Sequence, residues 1–237
     1  MIYCAFILVE PEDDRNIGAA ARALNTMGYS DLRLVRPKGD HCSDRAQALA
    51  HGSQHILESA TVYPELTAAC QDLDFTCATT VRHRLTKQHY VSVRELPGLL
   101  ARKGESTQRV GLVFGCETAG LSSADLDTCD LITTIPQSQP QPSLNLAQAI
   151  MVYSFVLSAD QTTIQIDDQR VAADGITETE YTRLKDLTLQ LMDRIGLTER
   201  YKGYVVKALA RLDWTDLYLI HDIRRRIDRK LDSLEDA

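Results

Sequence analysis

The nine residues FGCETAGLS (114–122) say most about the fold of this chain. They continue directly from Val110–Phe114, a short and fully apolar run that predicts a buried strand. Two glycines let the backbone approach a ligand closely, and Glu117 between them can accept hydrogen bonds. A turn whose serine caps the next helix would explain the second glycine and Ser122, but not the glutamate between the glycines. The segment is therefore a candidate ligand-binding loop.

Two more polar segments come directly after apolar runs. Residues 16–23 (NIGAAARA) follow the predicted strand 2–9, and residues 143–147 (SLNLA) follow the strand 131–135 and a loop spaced by prolines. In open α/β sheets, ligands bind outside the carboxyl ends of the strands. Taken singly, the first segment fits a helix capped by Asn16, and the second fits a rigid loop with a helix cap. Position after a strand is what makes both of them candidate sites.

Hydrophobic patterning assigns an α/β fold to the first two-thirds of the chain. Short apolar runs alternate with helical patterns, which predicts a mostly parallel sheet covered on both faces. The predicted strands are 2–9, 32–35, 61–63, 75–79, 110–114 and 131–135. The predicted helices are 16–27 with Gly28 as its stop, 44–50, one after Pro64, 93–103 and 144–157.

The remaining third of the chain predicts a helical appendage. Residues 1–160 form the predicted α/β domain, 161–175 a polar linker, and 176–237 a helical C-terminal extension. Thr177 and Glu180 fit a capping box at the start of that extension. Apolar residues at helical spacing then indicate two helices, the first with Leu184, Leu187, Leu191 and Ile195 on one face, the second with Leu217, Ile220, Ile223, Ile227, Leu231 and Leu234.

Composition excludes several classes of protein. The 237 residues hold 44% hydrophobic and 25% charged residues, typical of a globular protein, and no apolar run approaches the ~20 residues that cross a bilayer. Without a recognisable signal peptide, the chain is expected in the cytoplasm. The six cysteines form no C-x-x-C pair, so we expect reduced thiols and no metal. A net charge of −7 argues against indiscriminate coating of nucleic acid, but not against a local basic face.

Together and in this order, the three segments resemble the motifs of the SpoU/TrmH branch of the SPOUT-class RNA 2′-O-methyltransferases. The resemblance covers residues 1–157, is nearest to the TrmJ/LasT type, and extends to His51-Gly52-Ser53, Ala78–Arg84 and Pro142–Val156. It implies an α/β-knot fold, with a deep C-terminal trefoil knot in the parallel sheet. It also implies a homodimer whose active site takes residues from both subunits.

The resemblance further implies S-adenosylmethionine as the cofactor and a ribose 2′-hydroxyl of RNA as the methyl acceptor. Arg22 corresponds to the motif arginine, with Glu117 and Asn16 expected to hold it and Asn145 to shape the substrate side. Because a guanidinium stays protonated, Arg22 is expected to orient the hydroxyl and stabilise the developing alkoxide rather than act as a base. The residues implied to contact the cofactor are Thr79, Thr80, Val81, Gly115, Ile135, Ser143, Leu144 and Asn145.

A basic loop beside the implied cofactor site is the candidate contact with RNA. It contains Arg82, Arg84 and Lys87, which suit phosphates, although a solvated loop explains any one of them about as well. Transfer RNA is favoured over ribosomal RNA as the substrate. Because Cys116 stands where close TrmJ-like proteins have arginine, an RNA-binding protein with weak or no methyltransferase activity is the alternative. Methylation of a base nitrogen is a further, weaker one.

Overall fold

The computed structural model describes residues 2–81, 90–139, 143–159 and 178–235. They divide into two compact units. The first comprises residues 2–97 and 109–159, and the second comprises residues 98–108 and 178–235. The predicted linker, 161–175, lies outside the described residues. The predicted division of the chain into domains therefore stays a prediction.

The first unit is built on a seven-stranded sheet whose strand pairs are all parallel. The strand order is β3-β2-β1-β6-β4-β7-β5. This confirms the predicted α/β class and the parallel sheet, whereas the knot stays a prediction. The strands are β1 Tyr3–Val9, β2 Asp31–Val35, β3 Thr61–Tyr63, β4 Phe75–Thr79, β5 Val91–Ser92, β6 Arg109–Phe114 and β7 Leu131–Thr134.

Within the described residues, seven α-helices accompany these strands. They are α1 Asp14–Thr26, α2 Asp44–Ala50, α3 Gln54–Ser59, α4 Leu66–Ala69, α5 Leu96–Lys103, α6 Ser123–Thr128 and α7 Leu146–Ala159. Sequence patterning missed the six-residue α3 and the two-residue β5 and gave no bounds for α6, although a serine, Ser122, caps α6 as the alternative interpretation of the glycine loop expected. It also began α5 too early, at Val93, because the strand β5 and a turn precede it.

Helix α1 packs unusually close to α2. A Cβ added to Gly18 would lie 2.2 Å from the carbonyl oxygen of Ala46, so no larger residue fits there. The predicted N-cap of α1 is wrong: Asp13 caps the helix, its carboxylate accepting from the Arg15 amide at 2.9 Å. At the other end Gly28, with φ +81°, follows the last turn as predicted.

Ion pairs hold the amino ends of the strands together. The Arg33 guanidinium is buried and pairs with Asp31 at 2.8 Å and with Asp72 at 2.5 Å. Asp72 also pairs with Arg109 at 2.5 Å, and the Arg109 guanidinium lies 4.4 Å from the centre of the Tyr3 ring. These contacts fasten β1, β2 and β6 to the loop that precedes β4.

The second unit contains three long helices, α8 Glu178–Arg194, α9 Glu199–Leu209 and α10 Trp214–Glu235. Leu184, Leu191 and Leu217 are buried as predicted. Ile195 is 48% exposed, because α8 ends before it, and Ile223 and Ile227 are also exposed. Patterning missed α9, and the Thr177 end of the predicted capping box lies outside the described residues. None of the described helices is long and apolar enough to cross a membrane.

Candidate active site

A cavity of about 550 Å³ opens where β4, β6 and β7 end. Three segments line it: the end of β4, the loop that follows β6, and the start of α7 with the residue after β7. Seven of the eight residues predicted to contact a cofactor lie in this lining. They are Thr79, Thr80, Val81, Gly115, Ile135, Ser143 and Leu144; the eighth, Asn145, lies next to them but does not line the cavity.

The loop after β6 is folded back on itself and requires its glycines. A Cβ on Gly115 would lie 2.1 Å from the Leu121 amide nitrogen and 2.2 Å from the Gly120 carbonyl carbon. The Gly120 amide donates to the Cys116 carbonyl at 2.9 Å, and Gly120 itself has φ +68°. The loop can therefore present backbone to the cavity only because no side chain occupies either position.

Glu117 joins this loop to the amino end of α1. Its carboxylate accepts hydrogen bonds from the Glu12 amide at 2.9 Å, the Asp13 amide at 3.3 Å and the Asn16 side-chain amide at 2.8 Å. These three hydrogen bonds hold the loop against the amino end of α1. Glu117 is the only charged residue in the described lining of the cavity.

Asn16 extends these contacts to α7. Its side-chain oxygen accepts from the Asn145 amide nitrogen at 2.8 Å. The Asn145 oxygen in turn accepts from the Ala147 backbone amide at 2.9 Å, in the first turn of α7. Each donor meets an acceptor, so the orientation of both amides is fixed. We call Glu117, Asn16 and Asn145 the amide relay; it links all three segments singled out in the sequence.

Arg22 lies apart from this relay. It is exposed, and six residues after Asn16 it is displaced by ~9 Å along α1 and points ~120° away around the helix axis. Among the described residues its guanidinium has no hydrogen bond or ion pair, and it does not line the cavity. The expectation that Glu117 and Asn16 hold Arg22 is wrong within one chain, because their polar atoms bind each other.

Tyr153, which lines the cavity, belongs to a buried pair of hydroxyl groups. Tyr153 Oη and Thr133 Oγ1 are 2.7 Å apart, and the Thr133 hydroxyl also bonds the Ala78 carbonyl at 3.1 Å. Burial raises the pKa of Tyr153 well above its ordinary value, so the phenol stays neutral. Sequence patterning did not single out Tyr153, since it reads there as one more apolar position on α7.

Cys116, which stands where close TrmJ-like proteins have arginine, is buried, with Sγ 3.8 Å from the Thr118 hydroxyl and from the Gly120 carbonyl. The short strand-like contact between Cys116 and Gly120 turns its side chain inward. Cys116 lines the cavity and helps to define the shape of the cavity.

Two other sets of residues bear on the predictions. Arg82, Arg84 and Lys87 lie outside the described residues, although Val81, directly before them, lines the cavity. Asp40, His41 and Cys42 each bring one ligand atom within 4.8 Å of the others, next to one another in an exposed loop. The absence of a metal stays a prediction.

Comparisons with known proteins agree on one family. The profile described as the SpoU rRNA Methylase family matches residues 3–155. An Escherichia coli K12 protein named uncharacterized tRNA/rRNA methyltransferase LasT is 35% identical over 95% of this chain and 97% of its own. The tRNA (cytidine-2′-O-)-methyltransferase TrmJ of Methanocaldococcus jannaschii is 34% identical over 65% and 67%. The crystal structure of TrmJ from Z. mobilis ZM4 has a TM-score of 0.64 at 26% identity, covering 94% of this chain and 98% of that one.

Proposed function

This chain belongs to the SpoU rRNA Methylase family, and we propose that it transfers a methyl group from S-adenosylmethionine to a ribose 2′-hydroxyl of RNA. The amide relay carries the proposal. It brings a carboxylate, two oriented amides and a glycine loop to the rim of one cavity, although these groups lie up to 129 residues apart in sequence. Relatives named as tRNA and tRNA/rRNA methyltransferases support the reaction class.

The cavity suits a nucleoside with a small polar tail. Its volume of about 550 Å³ falls within the ~300–1,000 Å³ of ordinary ligand pockets. Val81, Ile135 and Leu144 offer apolar contact to a base, while the backbone around Gly115 offers amides and carbonyls to its edge. When bound, S-adenosylmethionine supplies an electrophilic methyl group on a sulfonium whose neutral thioether is the leaving group.

The chain's own residues then position the acceptor. Holding the hydroxyl in line with the methyl group supplies much of the rate, because the two reactants no longer have to find each other in solution. Asn145 lies where the amide relay meets the start of α7, and we assign it, with Ser143, to the substrate side. Glu117 and Asn16 act as positioning residues, since their polar atoms hold the loop and α1 in register.

We propose that Arg22 acts on the cavity of a second copy in a homodimer. Two exposed features of the first unit support this assignment. Arg22 on α1 has no partner within the described part of its own chain, and Phe155 on α7 is 58% exposed. Helices α1 and α7 lie side by side, with Asn16 near Asn145 at one end and Met27 near Ser158 at the other. A guanidinium brought across this face would stabilise the alkoxide that develops on the ribose.

The proposed acceptor is transfer RNA, bound in the cytoplasm through the basic loop. Arg82, Arg84 and Lys87 follow the cavity residue Val81 directly in sequence, so phosphates bound by them would approach the cofactor. Several relatives named TrmJ are described as acting on tRNA, which favours it over ribosomal RNA.

The experiment is methylation of RNA by the purified chain, read by mass spectrometry of the digested nucleosides. We expect S-adenosylmethionine to bind in calorimetry and 2′-O-methyl nucleosides to appear in tRNA. A folded protein that binds RNA but no S-adenosylmethionine would establish the non-enzymatic alternative. A methyl group on a base nitrogen would contradict the assigned acceptor.

The role of Arg22 across the dimer has its own test. Chains with Arg22→Ala and chains with Gly115→Ala are each expected to be inactive, and the two are then mixed and allowed to exchange subunits. If Arg22 serves the partner's cavity, half of all dimers are mixed and each mixed dimer holds one intact site of two, so about a quarter of wild-type activity returns. If Arg22 serves its own cavity, mixing restores nothing.

A further inference from the structure

The outer face of α10 carries an apolar stripe. Leu219, Ile223 and Ile227 are 57%, 44% and 41% exposed, and they follow one another at four-residue spacing. At ~100° per residue, the first and last lie within ~40° of the direction of Ile223. The opposite face of the helix is the covered one, where Leu217 is buried and Asp228 pairs with Arg194 of α8.

A charge lies at each end of this stripe. Asp216 and Lys230 stand seven residues before and seven residues after Ile223, so each points within ~20° of its direction. Both side chains are exposed, and neither forms an ion pair among the described residues. Other charges of α10 pair along the helix itself, Arg226 with Asp222 and Arg224 with Asp228.

This pattern is symmetric about Ile223, with opposite signs at its two ends. We propose that α10 packs antiparallel against α10 of a second copy of this chain, with the two-fold axis at Ile223. Leu219 then faces Ile227 of the other copy, and Asp216 faces Lys230, each twice. A parallel pair would place like charges opposite each other at both ends, which is unfavourable.

The same pattern disfavours RNA as the occupant of this stripe. The exposed cations Arg225 and Arg229 point more than ~100° away from Ile223, on another side of the helix. Three apolar side chains per copy bury little area, so this pairing is expected to be weak by itself. Its test does not depend on methyl transfer.

Cysteine cross-linking in the full-length chain reads the register of the two helices. In a background with the exposed Cys42→Ser, each variant is treated with a short bis-maleimide. Ile223→Cys should cross-link to itself efficiently, and Leu219→Cys should cross-link to Ile227→Cys when the two are mixed. Leu219→Cys alone should link poorly, and Arg225→Cys, on the far side of the helix, should give only background.

Two results would overturn the proposal. If Leu219→Cys cross-links to itself as efficiently as Ile223→Cys does, the pair is parallel. If Ile223→Cys cross-links only at the background level, pairing through this stripe is excluded. Circular dichroism of each variant checks that α10 is retained, and the Arg225→Cys yield defines the background.

Charge reversal gives a second reading of the same contact. In the Ile223→Cys background, Asp216→Lys turns both attractive pairs into repulsive ones, and we expect the cross-linking yield to fall about fivefold at low salt. Adding Lys230→Asp restores opposite charges at both ends and should restore the yield. A double variant no better than the single one would refute the antiparallel register.

Discussion

The two edges of the sheet in the first unit use opposite chemistry. At the amino edge, Arg33, Asp72 and Arg109 form a partly buried network of ion pairs. At the carboxyl edge, two asparagines and Glu117 form the amide relay beside an otherwise uncharged cavity. Both edges belong to the same strands, so the difference in chemistry reflects a difference in the roles of the two edges.

This comparison separates stability from chemistry. A network of full charges holds strands together. Its carboxylates and guanidinium groups are paired with each other and are therefore not available to bind a ligand. Oriented amides fix a loop and two helix ends at small electrostatic cost, and they leave the cavity open for a cofactor. Substitutions at the amino edge should therefore change unfolding, and those at the carboxyl edge should change binding and turnover.

The largest effect is expected at the amino edge. Arg33→Leu removes a buried guanidinium and leaves the Ala69 carbonyl and the partly buried Asp31 without their hydrogen bonds to it, which should cost about 3 kcal/mol of unfolding free energy. Arg36→Leu is the matched control, since Arg36 is 42% exposed and pairs with Glu10 at the other edge; it should cost under ~1 kcal/mol. Urea titrations measure both, and equal losses would erase the distinction between the edges.

Gly115→Ala should act on the carboxyl edge almost as strongly. The added Cβ would overlap the backbone of Gly120 and Leu121, so the loop must leave the cavity. We expect S-adenosylmethionine affinity in calorimetry to fall by at least about 100-fold, or ~2.7 kcal/mol. Gly203→Ala, in open space on α9, should leave the affinity unchanged. Tight binding by Gly115→Ala would place the cofactor elsewhere.

Asn145→Asp breaks the amide relay but keeps the hydrogen bond that caps α7. The aspartate can still accept from the Ala147 amide, but it presents an oxygen to the Asn16 oxygen where a donor stood. Turnover of tRNA should fall about 10- to 100-fold with little change in melting temperature. Asn25→Asp, on the same helix as Asn16 but away from the cavity, should keep full turnover. An active Asn145→Asp enzyme would remove the relay from the mechanism.

The smallest effect is a dependence of stability on pH at the amino edge. Hydrogen bonding to Arg33 and Arg109 holds the pKa of Asp72 below its ordinary value of 3.8. Asp72 therefore stabilises the fold above about pH 4, and that contribution is lost as pH falls through its folded pKa. Its side chain is 48% exposed, so we expect less than ~1 kcal/mol. Asp72→Asn should flatten this part of the stability curve, and an unchanged curve would contradict the assignment.

Sequence patterning located six of the seven described strands, most of them because buried strands are continuous apolar runs. It also located most of the cavity lining, because parallel strands end at the same edge and place the residues that follow them together. It misassigned Asn16 as a helix cap, because Asp13 and Asn16 are both good caps and local sequence cannot choose between them. The Asn16 side-chain oxygen, which a cap would use as its acceptor, instead accepts from Asn145, 129 residues away.

Other features could not be predicted either, because they depend on contacts in the folded chain that local sequence does not show. The inward turn of Cys116 depends on a backbone contact with Gly120, and the role of Tyr153 depends on its meeting Thr133. In the second unit, patterning missed α9, which has two exposed tyrosines among its apolar positions and Gly203 in its interior. Arg22 is separated from the relay because it points away from Asn16 around the axis of α1, and the spacing of the two residues in the sequence could have indicated this.

The attachment of Glu117 to the first residues of α1 has a thermodynamic consequence. The loop that lines the cavity and the helix that carries Arg22 cannot shift independently, because the carboxylate binds both Glu12 and Asn16. A ligand that fixes the conformation of the loop therefore also fixes the surface of α1. A partner bound to α1 fixes the conformation of the loop in the same way. By reciprocity, each event strengthens the other by the same factor, so cofactor occupancy and association through α1 should rise and fall together.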